Sequence, residues 1–471
     1  MGEFDRLFER TRCAFAQERT FERARTLAIS SLVGLGRKTV SGMLCASGQQ
    51  FADWSAAYRL FERERFNIDV LFDPIRREVV ERLKPGEPLV AIMDDTIIRK
   101  RGRKVSGAGW RRDPLGPAFS TNFVWGQRFL QLSAALPETG EMGRARAVPI
   151  DLMHAPSPVR PGKNASDEQL AEYREKQKLM KISSVGARRI AELRAMMDKE
   201  NKEKIRLIVA VDGGFTNRAV LRKLPHDTVA IGRIRKDARL FHLPTNKTGT
   251  TRGRRRWYGA ALPTPEEIRQ DELIPWVSVE AFAAGKTHSF QVKTLATVRW
   301  AVTGQLNVRL VVIRPLAYRL RNGSRLLYRD PAYLICTDPD LPLARLIQSY
   351  LWRWEIELNF REEKTVLGAG EAQVRTAAAV EMVPALIIAA YAFLLLAGDR
   401  KGQPPLPQPK WRNSTPAPRT STSQLIGMFR SELWGKAMGV NLNHFANCAE
   451  EKTNRVFFEK SLPSAVCYAV K

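Results

Sequence analysis

Three acidic residues and one charged stretch are the features of this 471-residue sequence that could do chemistry. Asp94 directly follows the apolar run Leu89–Met93, with Asp95 and Thr96 behind it. Asp212 directly follows Ile205–Val211, ahead of Gly213 and Gly214. Apolar runs of that length read as buried strands, and ligand sites in open α/β sheets form just outside strand ends. The glycines let a ligand come close. Either Asp alone would also serve as a turn residue or helix cap. The third piece is the segment from Tyr350 to Lys364, in which Arg353, Glu357 and Lys364 stand 3, 7 and 14 residues after Tyr350. On one continuous helix these four fall within roughly a 60° arc, so one face carries a phenol, a guanidinium, a carboxylate and an ammonium. Leu351, Trp354 and Leu358 fall on another face and can pack. A salt-bridged surface helix would account for the charges but not for the Tyr and its Trp neighbours.

Three carboxylates suit two Mg²⁺ ions, with Mn²⁺ a workable substitute, because such ions take oxygen ligands and keep several waters. Two metals clamp the attacking and leaving oxygens of an in-line phosphoryl displacement. Arg353 and Lys364 would then hold phosphates beside the cut. Tyr350 would hydrogen-bond a phosphate or stack on a base. Basic runs flank these residues in sequence. Arg99–Lys104 includes Arg101, Arg103 and Lys104, and Arg111-Arg112 follows. A second run holds Arg254, Arg255 and Arg256, next to Trp257 and Tyr258. These runs are expected to contact a nucleic-acid backbone, with the salt dependence of counterion release. Arg233 and Arg235 follow or end a core strand and could face phosphates too. Glu355, Glu362 and Glu363 read as surface charges or partners of Arg361, and Asp151 as a structural carboxylate.

The elements that must position these groups follow from the pattern. Residues 1–84 read as a helical, DNA-binding domain. Within it Thr26–Val33, Gly34-Leu35-Gly36 and Arg37–Leu44 suit helix, turn, helix, with Arg37 and Lys38 opening the second helix where phosphates are met. A plain helical hairpin with a basic face fits the same residues. Lys84–Pro88 is a loop and boundary. Residues 85–236 read as the first part of a catalytic core: strands at Leu89–Met93, Phe123–Leu136 and Val148–Leu152, then helix over about 165–202, interrupted near Ser183-Ser184. The strand Ile205–Val211, a short helix at Asn217–Leu224 and the strand Thr228–Arg233 follow. This is an α/β arrangement with a mixed sheet and flanking helices. Residues 237–342 read as a β-rich insertion, with strands at Trp276–Ala281, Ser289–Ala301, Asn307–Ile313 and Tyr333–Thr337. Residues 343–400 return to the core with the Glu helix. Residues 401–424 form a Pro-rich linker. Residues 425–471 form a small helical tail, a place for dimer contacts.

Composition narrows the classes. Hydrophobic residues are 44% and charged residues 27%, which excludes a disordered or collagen-like chain. Lys plus Arg is 76 against 49 Asp plus Glu, a formal charge of +27, which favours a polyanionic partner. The five Cys have no C-x-x-C pair, so neither a disulfide framework nor a zinc site is readable and a cytoplasmic setting is expected. No apolar signal segment is expected at the start. Val383–Ala397 is uncharged but contains Pro384 and is short for a membrane span, so it reads as a buried helix.

Asp94-x-Thr96, then Asp212 after an apolar strand, then Y-x2-R-x3-E-x6-K resembles the DDE transposases of bacterial insertion sequences, in the cut-and-paste group with the Y-R-E-K signature. All four spacings match, over about residues 85–400. The resemblance implies a ribonuclease-H-like core with a β-rich insertion before the Glu. It implies that Asp94, Asp212 and Glu357 are the catalytic, metal-binding triad. Its D-x-T pattern favours Asp94 over Asp95. It implies that Tyr350, Arg353 and Lys364 contact DNA at the element's ends. In some relatives an insertion Trp stacks on a flipped base; Trp257, Trp276 and Trp300 all qualify, and core packing is the other role open to each. The partners implied are double-stranded DNA, at element ends and target, and a second copy of the chain in the synapse, with no membrane. A catalytically inactive DNA-binding descendant, or a nuclease without strand transfer, are the alternatives.

Overall fold

The computed structural model describes residues 1–113, 116, 119–138, 140–200, 205–244, 256–318, 325–398, 419–438 and 466. Five helices lead: α1 (Gly2–Glu9), α2 (Glu18–Val33), α3 (Val40–Ala46), α4 (Ser55–Glu62) and α5 (Ile68–Glu81). Strands β1 (Leu89–Arg99), β2 (Gly109–Arg112), β3 (Phe123–Pro137) and β4 (Ala145–His154) follow. Then come α6 (Asp167–Leu179), α7 (Ile182–Glu200), β5 (Leu207–Val211), α8 (Arg218–Leu221) and β6 (Thr228–Arg233). The next stretch holds β7 (Leu240–Phe241), α9 (Pro265–Gln270), β8 (Val277–Ala283), β9 (Lys286–Trp300), β10 (Asn307–Ile313), the short pair β11 (Ala317–Tyr318) and β12 (Leu327–Tyr328), and β13 (Ala332–Cys336). The described chain closes with α10 (Leu343–Leu351), α11 (Trp354–Thr365), α12 (Ala377–Gly398) and α13 (Thr422–Met438).

A large mixed sheet with flanking helices organises the molecule. Its order among the described residues is β2-β3-β1-β5-β6-β13-β10-β9-β7, with β4 on β3 and β8 on β9. The centre, β1-β5-β6, is parallel. β5 is buried along its whole length, as a parallel strand covered on both faces should be. Alternation sorts its side chains. Ala91, Met93, Val209 and Val211 join one hydrophobic cluster, and Val90, Ile92 and Ile208 join another. The first cluster is shared with the helices before residue 84, so Phe4, Phe8 and Phe21 lie in the same core as Val209. The second holds Leu346, Ile347, Tyr350, Ile356 and Phe360 of α10 and α11. The face of the sheet that bears even-numbered residues of β1 and β5 therefore looks toward the Glu helix.

Helix α12 is the spine of the first cluster. Seventeen apolar side chains from Ala379 to Leu396 are buried, Pro384 included. Length and composition alone would let it cross a membrane, yet it packs against α1, α2, α4, α5, α13 and β4. It is a core helix, as its burial among these elements shows.

The strands of the expected insertion share the main sheet: β13 pairs with β6 and carries β10, β9 and β7. Three expectations are corrected. The stretch Tyr350–Lys364 is not one helix. α10 ends at Leu351, a turn at Trp352-Arg353 follows, and α11 starts at Trp354, so the four signature residues do not share one straight helical face. The 165–202 helix breaks at Met180-Lys181, before Ser183. Strand β1 runs on through Asp94 to Arg99, held by antiparallel β3 after its parallel partner β5 has ended. Residues 401–418 of the expected linker and 439–465 and 467–471 of the expected tail lie outside the described residues.

Candidate active site

The parallel ladders stop at Met93–Val211 and Val211–Gly232. The next residues on the three adjacent strands are Asp94, Asp212 and Arg233. Asp94 and Asp212 continue the even-numbered rows, so both lie on the face covered by α10 and α11. Sequence alone placed each Asp at a strand end; the register makes them neighbours. Asp95 falls in the alternate row, and its nearest cation is Arg128, 4.0 Å away.

Burial and the negative charge of Asp212 together push the Asp94 carboxyl up to about 7. Its Oδ1 accepts from the Asp95 amide at 2.8 Å. Asp212 caps the turn that follows: its Oδ1 accepts from the amides of Gly214 (2.8 Å) and Phe215 (3.2 Å), and its carbonyl accepts from the Thr216 hydroxyl at 2.6 Å. This is the structural role such a residue was open to, and it holds the side chain without using its second oxygen.

Arg353, at the turn between α10 and α11, joins the pieces. One guanidinium nitrogen lies 3.6 Å from Asp94 Oδ2 and another 3.3 Å from Glu357 Oε1. The guanidinium sits 5.8 Å from the Tyr350 ring and 5.1 Å from the Trp354 ring. Arg353 is buried, and its Nε has no hydrogen-bond partner. Tyr350 is buried too; that burial raises its phenol, with Arg353 and Arg233 pulling the other way. Glu357 and Lys364 are exposed. The break in the helix thus keeps Tyr350, Arg353 and Glu357 together, with Arg353 as the hub.

Among the described residues, no three His, Cys, Asp or Glu side chains are gathered closely enough to hold an ion. The donor set nevertheless suits one by type. Asp94, Asp212 and Glu357 offer only hard oxygens, and a divalent cation beside Asp94 would offset both its burial and its repulsion from Asp212. In the structure Arg353 supplies part of that countercharge.

The basic candidates sort unevenly. Arg37 is exposed. Lys38 is buried: its ammonium donates to the Gly34 carbonyl and its amide to Glu371 Oε2 at 2.6 Å. Thr39 caps α3, so Arg37 and Lys38 precede that helix and do not open it, and Lys38 ties the N-terminal helices to the core instead of facing solvent. Arg101, Arg103 and Lys104 are exposed, and Arg103 stacks on Trp110 (4.8 Å) and Trp125 (4.9 Å). Arg254 and Arg255 lie outside the described residues; Arg256 is exposed. Trp276 stacks beneath the buried Lys293 at 4.5 Å, Trp300 lies in the strand pair with Leu240, and Trp257 is half-exposed.

The remaining carboxylates correct one expectation. Glu363 is buried, not a surface charge, and accepts from Gln131 Nε2 at 2.9 Å. Glu362 accepts from Tyr391 and Thr422, and Glu355 from Arg419 at 2.9 Å. Asp151 is buried against Arg189, the structural role expected of it. Sequence reasoning passed over Trp110 and Gln131. The Gly109-Trp110-Arg111-Arg112 run carried a signal for the first; nothing local marked the second.

Residues 12–301 match the family model described as DDE superfamily endonuclease. The match spans Asp94 and Asp212 and stops before α11. No curated protein matches the chain.

Proposed function

This chain belongs to the DDE superfamily endonuclease family, and on that premise we propose that it is a cut-and-paste transposase of a bacterial insertion sequence. Membership in the family makes it an enzyme acting on DNA. In our reading Asp94, Asp212 and Glu357 hold divalent metal, Mg²⁺ or Mn²⁺. When bound, the metal lowers the pKa of an attacking water or sugar hydroxyl and stabilises the departing oxygen. The chain binds the element's ends, cleaves phosphodiesters there and joins the freed 3′ ends to target DNA. Two ends imply two copies of the chain in the synapse.

The observation that carries this reading is Arg353, which lies between Asp94 and Glu357 from the turn that follows α10, the helix that carries Tyr350. Asp94 and Asp212 present carboxylates from neighbouring strands; Glu357, on the covering helix, is linked to Asp94 through Arg353. Arg353 orients Glu357 and neutralises Asp94 until a phosphate and its cation arrive. The Tyr350 ring lies 5.8 Å from the Arg353 guanidinium. Arg233, in the next strand of the same row, and exposed Lys364 would hold phosphates at the rim. Arg37, Arg101, Arg103, Lys104 and Arg256, with Arg254 and Arg255, would extend that contact along the duplex.

The test is a strand-resolved cleavage and joining assay. Wild type and Glu357→Gln are incubated with Mg²⁺, target DNA and DNA carrying the sequences that flank the gene. We expect nicks at a fixed boundary and joined products, both absent with the variant. Nicks without joined products would favour a nuclease without strand transfer. Binding without nicks by both proteins would remove Glu357 from its assigned role.

A further inference from the structure

Glu363 has no task in the scheme above, yet it is buried on α11, six residues after Glu357. Its Oε1 accepts from Gln131 Nε2 at 2.9 Å. Gln131 is the β3 residue paired directly with Asp94. The Glu363–Gln131 contact therefore fastens the helix that carries Glu357 to the strand that flanks Asp94. Around it the polar groups are fixed. Gln131 Nε2 gives its second hydrogen to Ser133 Oγ at 3.2 Å, Ser133 donates to Asn359 Oδ1 at 3.0 Å, and Asn359 donates to the Ala147 carbonyl at 3.1 Å. One member is left over: Gln131 Oε1 is buried and has no donor.

We infer that Glu363 is held as the neutral acid, its carboxyl proton donated to Gln131 Oε1, and that this acid–amide pair is a positioning device for Glu357. An ionised carboxylate only accepts, so it leaves Gln131 Oε1 unpaired; the neutral acid adds the one donor the site lacks. Burial pushes Glu363 up to about 8; the Gln131 hydrogen bond and Lys364 oppose this, and Glu362 adds to it. From the elements packed against it, β3 offers neutral Gln131 and Ser133, and α12 offers Tyr391, whose phenol is itself held far above its ordinary range by burial. The role assigned to Glu363 in positioning rests on the reading of Glu357 given above; the location of the proton does not.

The test compares Glu363→Gln, which keeps one acceptor and always offers a donor, with Glu363→Leu, which offers neither. The first readout is melting temperature against pH on the full chain. A carboxyl raised from its ordinary value near 4.5 to about 8 makes the folded state bind more protons than the unfolded state between those values, so wild type loses stability as pH rises across that window. Glu363→Gln lacks this loss, so its melting temperature relative to wild type should climb by roughly 2–5 °C between pH 5 and pH 9. The second readout is Mg²⁺-dependent cleavage. Wild type should lose about tenfold between pH 7 and pH 9, Glu363→Gln should keep its activity at pH 9, and Glu363→Leu should be impaired at both. Parallel melting curves for wild type and Glu363→Gln, or a Gln variant as impaired as the Leu variant, would overturn the inference. If the melting curves diverge as stated while no protein cleaves DNA, the proton stays on Glu363 and the role of Glu357 falls.

Discussion

Two sets of carboxylates in this molecule have opposite surroundings. Asp151, on β4, is buried against Arg189, which donates to both of its oxygens, one at 2.7 Å from Nε. Burial disfavours the Arg189 charge, but Asp151 and Asp69 more than offset this and hold the guanidinium above its ordinary range. Asp94 has one backbone donor, a like charge beside it, and a guanidinium at 3.6 Å that is shared with Glu357. Both sites sit on the same sheet. One is finished by the protein's own groups; the other is left short of positive charge. The second kind of surrounding marks Asp94 and Asp212 as the candidate site, and the first marks Asp151 and Arg189 as a structural ion pair.

The largest way to sharpen that contrast is to remove one carboxylate charge from each set. Asp94→Asn or Asp212→Asn should abolish metal-dependent cleavage, by on the order of a thousandfold or more, while melting temperature stays level or rises because a repelled charge is gone. Asp151→Asn should do the reverse. It leaves Arg189 buried without its two-point partner, at a cost of about 3–5 kcal/mol in denaturant unfolding, with cleavage per folded molecule retained. If Asp151→Asn removes cleavage in a fully folded protein, the two sets are not the separate kinds described.

The same contrast shows what could be read from the sequence. Asp212 at its strand end and the Tyr350, Arg353, Glu357 grouping were legible, because alternation and local spacing encode them; the run of β1 past Asp94 was not. The β strands of 277–313 were legible for the same reason. Their attachment to the core sheet was not, since β13 meets β6 across about a hundred residues of chain and no local pattern specifies that pairing. The helix break at Trp352-Arg353 was hidden because it has no Pro or Gly. Lys38 and Glu363 were misjudged for one reason: charged types are read as solvated, and only tertiary packing reveals a charged side chain turned inward.

Arg353 offers a smaller and sharper test. It stands where a cation would also be attracted, so it competes with metal for Asp94 and Glu357. Arg353→Gln should lower the Mg²⁺ concentration that half-saturates the rise in melting temperature, by roughly tenfold for about 1.4 kcal/mol of relieved competition. It should also slow cleavage, because Glu357 and the phosphate lose their guanidinium. Asp94→Asn should show no Mg²⁺-dependent rise at all. An unchanged Mg²⁺ midpoint in Arg353→Gln would mean the guanidinium moves aside without cost and is not part of the unfinished site's charge balance.

The smallest effect belongs to Asp69, the outer partner of Arg189. Its oxygen lies 2.6 Å from Arg189, closer than Arg353 comes to either active-site carboxylate, yet its side chain is 63% exposed. Short distance and large energy part company here, because solvent screens an exposed carboxylate and competes for its hydrogen bonds. Asp69→Asn should therefore cost less than about 1 kcal/mol in unfolding and leave cleavage untouched, while Asp151→Asn, on the same guanidinium, costs several times more. Denaturant unfolding of the two single variants side by side reads the difference directly. A loss at Asp69 as large as that at Asp151 would show that Arg189 depends on both acids equally, and that burial is not what separates a finished carboxylate from a decorative one.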